Sequence, residues 1–145
     1  MGFREKSLWK RQNDKSLHQI FFGLLVSFLN YCELRNIHEY SEAHNNLGNL
    51  LKDQKKFDEA IYHFDASIKI FPENPSTHNN LGTVHAMKGE ISEAVNHFAK
   101  AIRIQPTYFD ARQNLGFAYM QQGELVAAER EFSQAVEMAM AISTA

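Results

Sequence analysis

Three copies of the tripeptide Asn-Leu-Gly recur at intervals of 34 residues, beginning at Asn46, Asn80 and Asn114. A fixed period of this length is typical of repeat architectures, in which each unit is one supersecondary element stacked on the next. Whatever occupies one position of the repeat therefore recurs along one face of the stack. The three asparagines are accordingly expected to form a row of amide groups.

The repeat can be written as three units without a gap, residues 41–74, 75–108 and 109–142, and repeat positions are counted from 1 to 34 within each unit. Leucine stands at position 7, glycine at 8, alanine at 20 and phenylalanine at 24, with proline at 32 in two units. These residues are Leu47, Gly48, Ala60, Phe64 and Pro72, then Leu81, Gly82, Ala94, Phe98 and Pro106, then Leu115, Gly116, Ala128 and Phe132. Apolar and small residues at helical spacing predict two helices in each unit.

Glycine and proline mark the predicted helix ends. Gly89 and Gly123 fall where a first helix would stop, as C-cap glycines do, whereas the first unit has Lys55 there and is expected to form a less favourable turn. Pro72 and Pro106 are expected to stop the second helix, because proline cannot donate a backbone N–H.

This pattern resembles the tetratricopeptide repeat family, in which each repeat is a pair of antiparallel helices. The resemblance covers residues 41–142 and implies an all-α, right-handed α-solenoid of three helix-turn-helix repeats. Position 4 departs from the family's aromatic preference, since it holds His44, His78 and Arg112. The packing around position 4 is therefore not given by the family pattern.

The N-terminal part lies outside the three units. Residues 1–16 are basic and are predicted to be a flexible terminus. Residues 17–40 are predicted to form a helix packed on the repeats, with a degenerate half-repeat as the alternative interpretation. The apolar run 20–29 is too short to span a bilayer, which takes about 20 residues. Membrane contact through residues 17–34 and a targeting signal remain alternatives, although no small-x-small cleavage site follows.

Composition limits the classes of function. The chain has 44% hydrophobic and 22% charged residues and a net charge of −2, which predicts a folded protein without the basic field of a nucleic-acid binder. The single cysteine, Cys32, can form no internal disulfide, so a cytoplasmic location is expected, with membrane association as the alternative. No catalytic motif is present, and the seven histidines lack metal-site spacing, so no enzyme activity, cofactor or metal is expected.

The resemblance implies that the first helix of each repeat lines a concave groove. The predicted peptide-binding residues are Asn45, Asn46, Asn49, Asn79, Asn80, Thr83, Gln113, Asn114, Phe117 and Met120. The asparagines at position 6 resemble the ladder in the repeat domain of O-linked N-acetylglucosamine transferase, which grips substrate backbones. The alternative is that these asparagines bond only a neighbouring helix or water.

A second subclass of the family clamps the terminal carboxylate of chaperone tails with basic residues and asparagine. Asn49 and Asn80 match two of its five positions, but Asn45, Asp110 and Asn114 stand where the basic residues should be. Because Asp110 would repel a carboxylate, clamp activity is not expected.

Three functions are compatible with this pattern. The leading hypothesis is a non-enzymatic adaptor or scaffold that binds a peptide segment of a protein partner. The alternatives are a membrane-associated assembly or anchoring protein, and a regulatory repeat fragment of a larger enzyme such as a glycosyltransferase. If 145 residues are the whole protein, its uncovered C-terminal helix predicts a homodimer through Phe132, Val136 and Met140.

Overall fold

The computed structural model describes the backbone of residues 3–143 and the side chains of residues 19–143. Its described part contains six α-helices and no strand, which confirms the all-α class. The helices are α1 Phe3–Asp53, α2 Phe57–Ile70, α3 Pro75–Met87, α4 Ile91–Ile104, α5 Phe109–Gln122 and α6 Leu125–Ser143. By backbone proximity the chain divides into two compact units, Met1–Ile37 and His38–Ala145.

The second unit holds the helical repeats predicted from the 34-residue period. Its first and second helices alternate, and α3 and α5 begin at position 1 of their repeats, at Pro75 and Phe109. Helices α2 and α4 end two residues before Pro72 and Pro106, as the prolines predict. The N-terminus of α3 is capped by Asn74, whose Oδ1 accepts hydrogen bonds from the backbone N–H groups of Ser76 and Thr77.

Phenylalanine rings pack directly beneath the repeated glycines. Phe64 and Phe98 are buried, with 0% and 2% of their surface exposed. A Cβ atom added to Gly82 would lie 2.8 Å from the ring of Phe98, and one added to Gly48 would lie 2.6 Å from the ring of Phe64. Glycine in mid-helix costs roughly 1 kcal/mol relative to alanine. The glycines are therefore explained by the close approach of the two helices of each pair.

The turn after each first helix needs a left-handed residue. Gly89 and Gly123 adopt φ angles of 82° and 80° just after α3 and α5. Gly123 is the C-cap of α5, whereas α3 has its C-cap at Lys88 and Gly89 follows it. Lys55 occupies the same place in the first repeat with φ 61°. A residue with a Cβ atom is disfavoured in this conformation, so the first turn is the least favourable of the three.

The first unit contributes the N-terminal part of α1. Helix α1 continues through the boundary predicted before Ser41 without a turn, and no glycine or proline lies between Gly23 and Gly48 to break it. From Gln19 to Asp53 it is long enough to cross a membrane, and its most apolar 18-residue window has a mean hydropathy of 1.2. Signal sequences share these properties.

The side chains of the apolar run in α1 are exposed. Phe21, Phe22 and Phe28 expose 71%, 67% and 63% of their surface. The basic side chains of residues 1–16 lie outside the described ones, and the proposed domain boundaries stay predictions.

Candidate functional site

The asparagines of the first helices are joined from one repeat to the next. Asn80 Nδ2 donates to Asn45 Oδ1 over 3.1 Å, and Asn114 Nδ2 donates to Asn79 Oδ1 over 3.0 Å. Each bond connects position 6 of one repeat to position 5 of the preceding repeat. Asn45 and Asn79 are buried, with 8% and 7% of their surface exposed. The alternative role of position 6, a bond to a neighbouring helix, is thus present at two of its three asparagines.

These bonds leave part of each position-6 amide unused. A primary amide offers two N–H donors and a carbonyl acceptor, and the inter-repeat bond uses one N–H. Asn80 and Asn114 are half-buried, and Asn46, at position 6 of the first repeat, is exposed. An inter-repeat bond and an external contact are therefore compatible in the same side chain.

Two of the remaining predicted polar residues, Thr83 and Asn49, bond within their own helices. Thr83 Oγ1 donates to the backbone carbonyl of Asn79 over 2.9 Å, and Lys52 Nζ donates to Asn49 Oδ1 over 3.2 Å. Gln113 is half-buried at position 5 of the third repeat, where Asn45 and Asn79 stand in the first two. The predicted site is thus polar towards the first repeat.

The site becomes apolar towards the third repeat. Phe117 and Met120 expose 55% and 50% of their surface on α5, and Met87 exposes 51% at the end of α3. The ring of Phe117 packs edge-on against Phe132, with 5.1 Å between the ring centroids. The structure therefore places exposed apolar groups on the same first helices as the asparagines.

A second recurring contact was not predicted from the sequence. In every repeat the side chain at position 4 of the first helix meets the side chain at position 23 of the second helix. Two repeats use a histidine pair and the third uses an ion pair. These contacts are His44 Nδ1 to His63 Nδ1 at 2.9 Å, His78 Nδ1 to His97 Nδ1 at 3.4 Å, and Arg112 Nη1 to Glu131 Oε2 at 2.8 Å.

The side chain at position 4 also holds the preceding repeat. His78 Nε2 lies 3.0 Å from the carbonyl oxygen of Pro72, and Arg112 Nη2 donates to that of Pro106 over 3.1 Å. Because a carbonyl only accepts, His78 Nε2 carries a proton, and in the neutral ring its Nδ1 then accepts from His97 Nδ1–H. Position 4 thus connects the two helices of its own repeat to the segment that follows the last helix of the preceding repeat, and we call this contact the brace.

The histidine brace of the second repeat favours neutral rings. Burial lowers the pKa of His78, and burial followed by repulsion from His85, His78 and Lys100 lowers the pKa of His97 to about 4. His85 stacks on His97 with 5.4 Å between ring centroids and its Nδ1 lies 2.6 Å from Glu90 Oε2, a hydrogen bond that lowers the pKa of the Glu90 carboxyl. Among the side chains of residues 19–143, no group of three or more histidines, cysteines and carboxylates is placed to hold a metal ion.

Comparison with known proteins gives one consistent family. Profiles described as tetratricopeptide repeat match residues 39–107 and 86–140. No curated protein sequence matches the chain.

Solved tetratricopeptide domains share the fold. MamA is 25% identical, with a TM-score of 0.71 over 73% of this chain and 62% of that one. The first repeat domain of Spaghetti (RPAP3), bound to the HSP90 peptide SRMEEVD, is 21% identical, with a TM-score of 0.68 over 70% and 80% of the two chains. The Sgt2 domain from Aspergillus fumigatus is 22% identical, with a TM-score of 0.66 over 68% and 66%.

Proposed function

This chain belongs to the tetratricopeptide repeat family, and we propose that it is a non-enzymatic adaptor that binds an extended peptide segment of a protein partner along its first helices. The observation that carries the proposal is the half-used amide row. Among the hydrogen bonds between described residues, Asn80 and Asn114 each use one N–H for the preceding repeat, which leaves the other N–H and the carbonyl oxygen. An amide with both functions can meet the C=O and the N–H of a peptide backbone.

The exposed apolar groups supply the second part of the proposed contact. Phe117, Met120 and Met87 are each about half exposed, on helices whose other groove residues are mostly polar. Three amide bonds at roughly 0.5–1.5 kcal/mol each contribute on the order of 2–4 kcal/mol, too little for micromolar affinity alone. Apolar side chains of the peptide packed on Phe117 and Met120 would provide the remainder.

The ligand differs in chemistry from that of some structural neighbours. Spaghetti (RPAP3) was solved with a peptide ending in Glu-Glu-Val-Asp. Asp110 is exposed, and the amides of Asn45 and Asn114 are engaged in bonds between helices. These residues stand at the positions that would need basic groups, so we propose that this chain binds an internal, backbone-recognised segment instead of an acidic C-terminus.

The test separates peptide contact from repeat stability with two matched variants. Asn46, Asn80 and Asn114 are changed together to Ala in one protein, and Asn45 and Asn79 are changed to Ala in the other. Asn45 and Asn79 were predicted from the sequence as groove residues, but they are buried, so the proposal assigns the peptide contacts to position 6. Both variants lose the two inter-repeat bonds, whereas only the first loses the proposed peptide contacts. Helicity by circular dichroism checks that both remain folded.

The probe is a displayed library of 15-residue peptides, with SRMEEVD as a comparison ligand. Peptides selected on the natural protein should bind the triple variant roughly 30-fold to several hundredfold more weakly and the double variant almost normally. Equal loss in both variants, or unchanged binding to the triple variant, would contradict the amide contact. Selective capture of SRMEEVD would replace it with a carboxylate clamp.

Anchoring at a membrane is a second candidate function, which we propose on the observation that α1 exposes its apolar run. Leu24, Phe28 and Leu29 expose 65%, 63% and 56% of their surface. The run 20–29 alone is too short to span a bilayer, but the helix that contains it, from Gln19 to Asp53, is long enough. The full chain should then sediment with membranes after carbonate extraction. Recovery of all of it in the soluble fraction would leave a cytoplasmic adaptor as the proposal.

A further inference from the structure

The first helix of the first repeat exposes a surface that the later repeats bury. Positions 7 and 10 are apolar in every repeat. In α1 they are Leu47 and Leu50, which expose 40% and 55% of their surface, and we call this pair the head face. Their counterparts are Leu81 at 1% and Val84 at 0% in α3, and Leu115 at 4% and Ala118 at 3% in α5.

The buried counterparts pack on the second helix of the preceding repeat. Leu81 and Val84 share a core cluster with residues of α2, and Leu115 and Ala118 share one with residues of α4. The receiving residues lie at positions 17, 21, 24 and 28 of the second helix. They are Phe57, Ile61, Phe64 and Ile68 in α2, and Ile91, Val95, Phe98 and Ile102 in α4.

The same four positions of the third repeat line an open cavity. They hold Leu125, Glu129, Phe132 and Val136 of α6, and we call them the tail face. The cavity has a volume of about 640 Å³, and Met120 and Ala128 complete its apolar wall. Leu125 and Val136 expose 66% and 56% of their surface. The described chain therefore presents a slot of the kind that α2 offers to α3 and α4 offers to α5.

We propose that this chain associates head to tail, with α1 of one copy seated in the α6 slot of another copy. The repeats themselves argue for this occupant. The slot is formed by repeat positions that, in α2 and α4, receive the first helix of the following repeat. Each described repeat has one first helix, namely α1, α3 or α5, and of these three only α1 has positions 7 and 10 uncovered. The proposal does not rest on the proposed peptide contact.

The amide row supplies the register of the contact. Each inter-repeat bond runs from position 6 of one repeat to position 5 of the repeat before it. Asn46 is exposed at position 6 of the first repeat, beside the head face. Gln113 lies at position 5 of the third repeat and lines a second cavity together with residues of α6. Continuing the pattern across two copies pairs Asn46 Nδ2 of one with Gln113 Oε1 of the other.

One residue of the tail face departs from the pattern. Glu129 stands at position 21, where Ile61 and Val95 stand in the first two repeats. Partial burial of a carboxylate weakens a contact unless a partner offsets its desolvation. We therefore expect weak, concentration-dependent association. Because head and tail are different surfaces, the contact is heterologous and adds copies beyond a dimer, as an open chain or a closed ring.

Sedimentation velocity of the full chain tests the proposal, from about 5 to about 200 μM. The average mass of the natural protein should rise beyond that of a dimer. Leu50→Glu and Val136→Glu should each remove this rise, weakening association at least about tenfold. An equimolar mixture of the two variants should form one heterodimer and grow no further, because only one intact head and one intact tail remain.

Two further variants on α6 complete the test. Val126→Glu is the matched control, since Val126 exposes 84% of its surface at a position outside the tail face, and it should associate normally. Glu129→Val should tighten association roughly tenfold, because it restores the apolar residue of the earlier repeats.

The other outcomes each overturn the proposal. A Leu50→Glu protein that still dimerises, with Val136→Glu monomeric and no rescue on mixing, would show a tail-to-tail dimer. Association that survives in both variants would place the contact elsewhere, such as the apolar run of α1. A natural protein that remains monomeric at the highest concentration would exclude self-association through these faces.

Discussion

The second and third repeats solve the same packing problem with different chemistry. Their braces occupy the same repeat positions and bond the carbonyls of equivalent prolines, but His78 and His97 form one brace and Arg112 and Glu131 form the other. Two neutral rings cost little to bury and contribute little individually. In the ion pair, Arg112 and Glu131 expose only 11% and 9% of their side-chain surface. Removing one partner of such a pair strongly lowers the free energy of unfolding, because the other charge is left buried without compensation.

The junctions between repeats differ in the same direction. Where the first repeat meets the second, the hydroxyls of Ser41, Ser67 and Thr77 form a buried chain, with oxygens 2.9 and 3.2 Å apart. Where the second meets the third, the equivalents of Ser67 and Thr77 are Ala101 and Ala111, both fully buried. The array thus combines a neutral polar N-terminal half with a C-terminal half of alanine contacts and one buried ion pair. The two halves should respond differently to truncation and to pH.

Truncating the two braces should give the largest difference in stability between the second and third repeats. Glu131→Ala leaves the Arg112 guanidinium buried without its carboxylate and should lower the free energy of unfolding by about 3 kcal/mol. His97→Ala leaves only a neutral acceptor on His78 and should lower it by about 1 kcal/mol. Urea unfolding followed by circular dichroism compares the two.

The control for this comparison is Glu129→Ala, which removes an exposed carboxylate from the same helix and should change the free energy of unfolding by less than about 0.5 kcal/mol. A cost for Glu131→Ala no greater than that for His97→Ala would mean that the ion pair and the histidine pair are energetically alike.

Lowering the pH should weaken the histidine brace of the second repeat, and we expect this effect on the free energy of unfolding to be smaller than that of the truncations. The pKa of His97 is about 4 in the folded chain and about 6.5 when exposed, so between these values the unfolded state binds the additional proton. Stability is then fully present above pH 6.5 and falls as the pH is lowered. After discounting for the partly solvated ring, the loss between pH 7 and pH 5 should be about 1 kcal/mol.

Replacing the histidine brace of the second repeat by the Arg-Glu brace of the third isolates the contribution of His97 to the pH dependence of stability. In the double variant His78→Arg, His97→Glu, the free energy of unfolding measured by urea titration should depend less on pH between 7 and 5 than in the natural protein. The difference in slope belongs to the brace, because the other carboxylates titrate in both proteins. Parallel pH profiles would show that His97 is not the group that responds.

The fold followed from the sequence because its period fixes which residues share a face. Leu81, Gly82 and Phe98 could be assigned to the core from three aligned copies alone. The row of asparagines could be predicted in the same way, but not its bonds. Periodicity aligns position 6 with position 6, whereas Asn80 reaches position 5 of the preceding repeat, 35 residues away.

The brace could have been predicted from the sequence by comparing two repeat positions together, although neither position indicates it alone. Position 23 changes from histidine to Glu131 in the one repeat where position 4 changes from histidine to Arg112. Read as a pair, this joint change indicates a contact between the two helices. The continuity of α1 could have been predicted from the absence of helix-breaking residues, since no glycine or proline lies near the predicted boundary at Ser41. Neither signal belongs to the 34-residue pattern, so the pattern could not supply them.

The turns offer the smallest and sharpest comparison between repeats, because their hydrogen bonds are the same. Lys55 N–H donates to the Lys52 carbonyl over 2.9 Å, as Gly89 N–H donates to the Ala86 carbonyl over 3.0 Å. With the bonds equal, the left-handed φ of Lys55 is the difference that remains. Lys55→Gly removes the Cβ strain but increases the entropy of the unfolded chain, so it should stabilise by only about 0.5 kcal/mol. Thermal unfolding should show a rise of about 1–2 °C, and Gly89→Lys an opposite shift; a lower melting temperature for Lys55→Gly would mean that unfolded-state entropy outweighs the strain.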